Sequence, residues 1–204
     1  MTRCDIVLVG VGGQGVLTLA DLLVRSSLAA GLPAVYVPTK GMAQRGGFVK
    51  VEVRLGADGV GPRISERGAD LVVAMERSEA LKGLSFVRPE GEFVLYDHVW
   101  EPAGVQLGRD SYPILDDVRS TIEKHASQVA VLNPAGRPAI EGRPVAANVY
   151  VFGALLTLSP LRDLIPIEVA RTTLETRWPK AAEGNRFALE AGTKAAESWG
   201  GAIG

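Results

Sequence analysis

The chain has 204 residues, of which 47% are hydrophobic and 22% charged, with a formal net charge of -1. That length allows one domain, residues 1–204, with a substantial core, and the near-neutral balance gives no support for a nucleic-acid or membrane-surface binder. The single cysteine, Cys4, excludes an internal disulfide framework and a self-contained iron–sulfur cluster, and the longest apolar stretch, residues 145–158, is too short to span a bilayer, so a cytoplasmic protein is expected.

The first part of the chain alternates strands and helices. Apolar runs predict strands at residues 6–9, 34–37, 48–55 and 70–74, and helical periodicity predicts helices at 14–30 and 76–81. The opening strand–helix–strand pattern is typical of a parallel sheet. Residues 48–55 alternate apolar and charged side chains, which predicts a half-exposed strand near a sheet edge.

The second part becomes mostly helical. Strands are predicted at residues 92–96 and 129–132 with a short one at 111–114, a loop at 134–144, and helices at 117–126, 147–158, 167–177 and 185–199. The predicted fold class is therefore α/β: a three-layer α/β/α domain with a mixed, largely parallel sheet and a helical C-terminal third from about residue 145.

A glycine loop, GVGGQGV, follows the first strand, and Gly10, Gly12 and Gly15 fit the G-x-G-x-x-G pattern of dinucleotide-binding turns. Such a site needs an acidic residue about 20 positions further on to hold the ribose hydroxyls. No acidic residue occurs between Asp21 and Glu52. A free-standing nucleotide-binding module is therefore disfavoured, although the loop still offers free N–H groups at a helix N-terminus. The alternative is a tight turn that lets a neighbour approach closely.

A second glycine-bearing loop, GMAQRGG, follows Lys40 and contains Arg45 as its one charged residue. A guanidinium among small residues can hold a carboxylate or phosphate with two hydrogen bonds, and a solvated surface arginine is the alternative. Because both glycine loops follow early parallel strands, both are expected at the same edge of the sheet, where α/β folds place their sites.

The two loops together, followed by VKVEVRLG, resemble the gamma subunit or domain of the 2-oxoacid:ferredoxin oxidoreductases, and within that family the beta subunit of indolepyruvate ferredoxin oxidoreductase. The resemblance continues through GADLVVAMERSEAL, through the Asn148-containing segment, and through residues 185–192. It therefore extends over nearly the whole chain.

The resemblance implies a subunit of an enzyme that oxidatively decarboxylates a 2-oxoacid with thiamine diphosphate, forms acyl-coenzyme A, and passes electrons through iron–sulfur clusters to ferredoxin or another acceptor. An aromatic substrate is expected, such as indolepyruvate or an arylglyoxylate. This sequence has neither a thiamine diphosphate motif nor cluster cysteines. Thiamine diphosphate, magnesium and the clusters are therefore expected on partner subunits (alpha/beta-type thiamine diphosphate subunits and a cluster-bearing subunit), with coenzyme A as co-substrate and the isolated chain inactive.

The glycine loops are expected to face the catalytic region and to contact coenzyme A or partner chains. The predicted ligand- or partner-binding residues are Gly10, Gly12, Gly13, Gln14, Gly15, Lys40, Gly41, Met42, Gln44, Arg45, Gly46, Gly47 and Asn148. Arg45 is expected to pair with an anion at a subunit junction. A purely structural assembly subunit is the remaining alternative.

No catalytic residue or metal site is predicted. His98 and His125 have no ligand-spaced neighbours and are expected to be surface or satisfied histidines. Asp116 and Asp117 are expected to supply a helix cap and first-turn charge rather than an acid pair. The first helix, apolar almost all round, and the half-exposed third strand predict an obligate partner interface and a poorly behaved monomer.

Overall fold

The computed structural model describes residues 3–40, 46–56, 61–197 and 199. Its main sheet has six strands: β1 Cys4–Val11, β2 Ala34–Lys40, β3 Phe48–Leu55, β4 Ala69–Ala74, β5 Val87–Tyr96 and β6 Gln128–Leu132. The helices are α1 Val16–Ala29, α2 Arg77–Gly83, α3 Ala103–Gln106, α4 Leu115–Glu123, α5 Ala147–Leu155, α6 Ser159–Leu164, α7 Ile167–Arg177 and α8 Ala182–Glu197. A small hairpin of β7 Ala139–Ile140 and β8 Arg143–Pro144 precedes α5.

The strand order is β2-β3-β1-β4-β5-β6. Strands β1, β4, β5 and β6 are neighbours in that order and run parallel, whereas β3 is antiparallel to both β1 and β2. Helices α1, α5, α7 and α8 contribute to the core on one face, and α2 and α4 to the core on the other. The predicted mixed α/β/α architecture is therefore confirmed, with its helical C-terminal third.

The apolar run in β1 follows from its position in the middle of the sheet. Side chains alternate between the two faces of a strand, so Ile6 and Leu8 enter one core while Val7 and Val9 enter the other. All four are fully buried. Each buried aliphatic side chain stabilises the fold by about 1.5–3 kcal/mol relative to an exposed one, which is why the strand tolerates no polar position between them.

The prediction for residues 48–55 was right about position and wrong about exposure. Strand β3 lies next to the edge strand β2, between it and β1, so β1 and β2 are parallel but not adjacent. Its charged face, however, is largely covered: Glu52 is 1% exposed and accepts hydrogen bonds from the Ile64 N–H at 2.6 Å and from Arg63 at 3.1 Å. The alternation was read as solvent exposure, but partners from a later loop satisfy the buried carboxylate.

The structure also removes the reasons given for a poorly behaved monomer. Helix α1 is apolar nearly all round because it lies between the sheet and helices α5 and α7 of the same chain. The strand thought to be half exposed is internal. Neither feature therefore requires a second subunit to cover it, and the chain's own packing accounts for both.

Smaller differences concern connections. Residues 111–114 form no strand, and Ile114, in extended conformation, leads into α4. The loop predicted at 134–144 contains a 3₁₀ turn, Pro134–Gly136, and the β7–β8 hairpin. Asp116 and Asp117 lie in the first turn of α4, as expected, although Ile114 and not an aspartate occupies the capping position. No helix among the described residues is long and apolar enough to cross a membrane.

Candidate functional site

A pocket of about 660 Å³ opens at the carboxyl ends of β1, β4 and β5. It is lined by Gly12, Gly13, Gln14, Gly15, Met75, Tyr96, His98, Trp100, Arg137, Ala147 and Asn148. This is the edge at which open α/β sheets bind their ligands. A groove of about 750 Å³ between α1 and α7 contains none of the predicted site residues.

The first glycine loop needs glycine for conformation and for space. Gly13 and Gly15 have φ values of +104° and +82°, in the region that L side chains rarely adopt. Gly15 immediately precedes α1, and a Cβ there would lie 2.7 Å from the Asn148 amide nitrogen. The structure thus brings Asn148, 133 positions further along the chain, against the loop.

The two glycine loops are joined by backbone hydrogen bonds. The Gly12 N–H donates to the Gly47 carbonyl at 2.8 Å, and the Gly46 N–H donates to the Gly12 carbonyl at 3.3 Å. The expectation that both loops lie at one sheet edge is therefore confirmed for these residues. Lys40 ends β2 opposite Val49. Gly41, Met42, Gln44 and Arg45 lie outside the described residues, as does the side chain of Lys40.

Gln14 connects the first loop to His98. Its Oε1 accepts the Val11 N–H at 2.9 Å, and its Nε2 lies 3.1 Å from His98 Nδ1. Because Oε1 is already used as the acceptor, the amide NH₂ donates to Nδ1. The hydrogen-bond network therefore assigns His98 as the neutral tautomer with its proton on Nε2.

The surroundings of His98 agree with a neutral ring. Burial lowers the pKa of His98, and the positive charge of Arg137 lowers it further, whereas the carboxylates of Glu76 and Asp97 act in the opposite direction. The ring is stacked on Tyr96 with the centroids 6.2 Å apart. His98 was expected to be a surface or satisfied histidine; it instead lines the pocket, with one ring nitrogen satisfied by Gln14.

Two further pocket residues have unpaired polar atoms. Tyr96 is 1% exposed, and its hydroxyl has no hydrogen-bond partner in the part of the chain that the structure describes. The buried Nε of Arg137 is likewise without one among those residues. Burial raises the pKa of Tyr96, and the charge of Arg137 acts against that rise, so the two groups interact electrostatically. Both are hydrogen-bond donors at neutral pH.

The segment that carries His98 and Trp100 is fixed by Glu76, which stands two residues after the end of β4 and is fully buried. The Glu76 carboxylate accepts hydrogen bonds from the N–H groups of Glu79 at 2.8 Å and Trp100 at 3.3 Å, from the Ser78 hydroxyl and from the Tyr112 hydroxyl. Burial and the Glu76 bond raise the pKa of Tyr112. This carboxylate is saturated by donors and therefore supports the loop rather than a ligand.

A second anchor lies one residue away. Arg77 holds Asp97 with two hydrogen bonds, at 2.6 and 3.0 Å, and donates its backbone N–H to the His98 carbonyl at 3.0 Å. This planar two-pronged contact fixes the backbone on which His98 is mounted. These hydrogen bonds therefore hold the segment that carries His98 in a defined position at the pocket wall.

Sequence reasoning missed Tyr96, Trp100 and Arg137. Tyr96 and His98 had a usable signal, because they stand at the carboxyl end of β5, where the rule applied to the glycine loops also applies. Arg137 had none, since its loop reaches the pocket only through tertiary folding. His125 is exposed at the end of α4, with Nδ1 2.9 Å from the Thr121 carbonyl oxygen.

The sheet order argues further against a dinucleotide site. In the dinucleotide fold the second strand is adjacent to the first and presents its acid to the ribose. Here β3 separates β2 from β1, and β2 carries no acid at its end. Within the described ranges no three His, Cys, Asp or Glu side chains are grouped so as to hold a metal ion. The pocket therefore offers donors and a helix N-terminus rather than metal ligands or an acid pair.

The fold is an α/β domain in which the two glycine loops lie beside a pocket at the carboxyl ends of the sheet strands. Hydrogen-bond donors line this pocket. A profile of the pyruvate ferredoxin/flavodoxin oxidoreductase family matches residues 5–195, and the chain belongs to that family. It is thereby a member of the 2-oxoacid:ferredoxin oxidoreductases, as the sequence motifs predicted.

Curated relatives cover nearly its full length. The chain is 37% identical over 190 residues to indolepyruvate oxidoreductase subunit IorB of Archaeoglobus fulgidus, covering 93% of this chain and 94% of the relative. It is 33% identical to the protein of the same name from Pyrococcus horikoshii, covering 97% and 98%.

Solved structures share the fold. The gamma subunit of a keto/oxoacid ferredoxin oxidoreductase from Geobacter sulfurreducens superposes with a TM-score of 0.68 at 21% identity, covering 96% of this chain and 99% of that one. A 2-oxoglutarate:ferredoxin oxidoreductase chain from Magnetococcus marinus, solved with 2-oxoglutarate, coenzyme A and succinyl-CoA bound, gives 0.65 at 18% identity. That superposition covers 97% of this chain but 32% of the larger one. The same fold therefore occurs both as a separate subunit and as part of a longer chain.

Proposed function

We propose that the chain is the subunit without cofactors of a multisubunit, thiamine diphosphate-dependent 2-oxoacid oxidoreductase acting on indolepyruvate or a similar aromatic 2-oxoacid. The observation that carries this proposal is that relatives named indolepyruvate oxidoreductase subunit match over almost their entire length. In the proposed reaction the 2-oxoacid is oxidatively decarboxylated to acyl-coenzyme A, and electrons pass to ferredoxin or another acceptor. The complex is proposed to be cytoplasmic.

The residues of this chain do not fit the cofactors of that reaction. Cys4 is buried in β1, and burial raises the pKa of its thiol, so the thiolate that an iron–sulfur cluster requires is disfavoured. The described residues contain no acidic cluster for magnesium. We propose that partner subunits hold thiamine diphosphate, magnesium and the clusters, and no step of the reaction is assigned to a group held by this chain.

The glycine loops are proposed to contact coenzyme A or a partner chain at the subunit junction. Gly13 has open space beside it, and the N-terminus of α1 lies directly behind, so backbone N–H groups are available to a ligand or a neighbouring backbone. Asn148 supplies a side-chain amide at the same place. Lys40 and Arg45, which stand before and within the second loop, are proposed to add positive charge there.

Purification of a tagged chain from its native host tests this proposal. We expect larger, brown, cluster-bearing subunits to co-purify, and the complex to reduce ferredoxin or methyl viologen only when thiamine diphosphate, coenzyme A and a 2-oxoacid are all supplied. Indolepyruvate and phenylpyruvate should give higher kcat/KM than pyruvate or 2-oxoglutarate. A complex that prefers pyruvate would contradict the substrate assignment, and a chain that purifies alone would contradict the subunit assignment.

A further inference from the structure

Two buried hydrogen-bond donors of residues that line one pocket have no acceptor among the described residues: the Tyr96 hydroxyl and the Nε–H of Arg137. The Gln14 contact leaves the Nε2–H of His98 as a third donor on a residue that lines the same pocket. Buried donors in native proteins are nearly always paired, and each unpaired one costs stability. The two unpaired buried donors, with the His98 donor beside them, point to a ligand that supplies the acceptor.

The three donors influence one another. The charge of Arg137 acts on both Tyr96 and His98, and the Tyr96 and His98 rings are stacked. The groups therefore act as one cluster rather than three separate defects. Tyr96 is the most buried of them, at 1% exposure, and stands where β5 ends at the pocket.

The carboxylates nearest this cluster are already used. Glu76 is saturated by hydrogen bonds to Ser78, Glu79, Trp100 and Tyr112. Asp97 is held by Arg77. Arg137 has no ion pair within the described ranges. Neither of these acids supplies the missing acceptor, so the guanidinium charge of Arg137 stays without an ion pair among the described residues, while Glu76 keeps its own negative charge nearby.

The N-terminus of α1 adds to this charge. Gly13 and Gly15, both with positive φ, turn the chain into the helix beside the donors. A helix N-terminus carries a partial positive charge and unpaired N–H groups, which favour an anion. This helix N-terminus, the Arg137 guanidinium and the N–H and O–H donors lie around one pocket, and such a combination of groups recognises an oxyanion.

We propose that this pocket binds the carboxylate or phosphate group of a small molecule through Arg137, the Nε2–H of His98 and the Tyr96 hydroxyl. Gln14 is the positioning residue: by donating to His98 Nδ1 it keeps the Nε2 proton on the side available to the ligand. The inference deepens the proposed function by naming the ligand chemistry of the same site. It concerns binding by this chain alone and so is tested separately from the enzymatic activity.

The chain has two histidines, so ¹⁵N-histidine labelling of the full-length protein gives a simple NMR spectrum in which His125 is the internal reference. Without ligand, we expect His98 as the neutral Nε2–H tautomer. Titration with inorganic phosphate, phenylacetate and coenzyme A should shift the His98 signals and leave those of His125 unchanged. Tighter binding of phenylacetate than of phosphate identifies a carboxylate ligand, and the reverse order, with coenzyme A, identifies a phosphate ligand.

Matched variants locate the binding. Arg137→Gln should weaken binding of the preferred anion about tenfold, and Tyr96→Phe about fivefold, because each removes one donor to a charged acceptor. Arg143→Gln, in the neighbouring exposed hairpin, should leave it unchanged. Circular dichroism establishes that each variant is folded before its titration is interpreted.

Several outcomes would overturn the proposal: no anion shifts His98, His98 is found as the Nδ1–H tautomer, or Arg143→Gln weakens binding as much as Arg137→Gln. None of them bears on whether the chain assembles with catalytic subunits. Conversely, anion binding by a chain that assembles with no partner would support this inference while contradicting the proposed function. The two failures are therefore distinguishable.

Discussion

The two ends of the central sheet treat polar groups in opposite ways. At the amino end of β1, Asp5 is 4% exposed and receives Arg3 at 2.6 Å and Arg54 at 3.2 Å. The neighbouring Asp70 accepts the Asp5 N–H at 2.7 Å and Arg88 at 2.7 Å. Each oxygen of the Asp5 and Asp70 carboxylates has a donor from the chain, although Nε of Arg54 has no partner among the described residues.

At the carboxyl end the donors are in excess. Tyr96 and Arg137 have buried polar atoms without partners in the described part of the chain, and His98 has one ring nitrogen paired. Both ends contain arginines and buried polar groups, so the difference lies in whether the arginines are paired with acids of the chain. This contrast supports the proposal that a ligand binds at the carboxyl end, where buried donors lack acceptors among the described residues.

Loss of a charge should reduce stability more at the amino end of the sheet, where Asp5 is paired with arginines, than at the protein surface. Asp5→Asn leaves Arg3 and Arg54 facing a neutral amide in a largely buried setting, and we expect a loss of about 3 kcal/mol in the free energy of unfolding. Urea denaturation at neutral pH measures it. The control is Asp21→Asn, which breaks the i,i+4 pair with Arg25 and should have a small, salt-sensitive effect. Equal losses in both variants would mean that the Asp5 cluster is no more than a surface pair.

At the carboxyl end of the sheet, stability depends on the backbone geometry of the first glycine loop. Gly15→Ala forces a side chain into left-handed conformation and against the Asn148 amide, so we expect a loss of about 2 kcal/mol in the free energy of unfolding. Asn148→Ala should recover part of that loss when the two changes are combined, because it removes the contact but not the backbone strain. Strictly additive losses would show that Asn148 does not press on the loop.

Sequence alone predicted the parts of this contrast that depend on local pattern. The glycine loops, the buried strands and Asn148 were predicted because glycine conformation, apolar periodicity and family motifs are read from neighbouring residues. The carboxyl end also needs Tyr96, His98 and Arg137, which tertiary folding brings together. For β3 the same local reading failed, because alternation cannot reveal that Arg63 and Ile64 will cover Glu52.

His98 makes the stability of the carboxyl end of the sheet depend on pH. Its folded-state pKa is depressed by burial and by Arg137, so the unfolded chain binds the proton more strongly. The stability associated with neutral His98 is therefore present above the ordinary histidine pKa of about 6.5 and is lost as the pH falls through the folded value. Thermal denaturation at pH 8 and pH 5.5 should show a larger decrease for the wild type than for His98→Gln. Parallel decreases would mean that His98 is freely protonated.

The smallest effect, and the one of opposite sign, is expected at Tyr96. Tyr96→Phe removes a buried hydroxyl that has no partner among the described residues, so the free energy of unfolding should rise by about 1 kcal/mol while anion binding weakens. Tyr112→Phe is the matched control, because that hydroxyl donates to the buried Glu76 and its loss should destabilise the fold by about 1–3 kcal/mol. Urea denaturation of the two variants compares the same chemical change at a paired and an unpaired site. If Tyr96→Phe is as destabilising as Tyr112→Phe, the Tyr96 hydroxyl is satisfied in the free protein by the chain or by bound water.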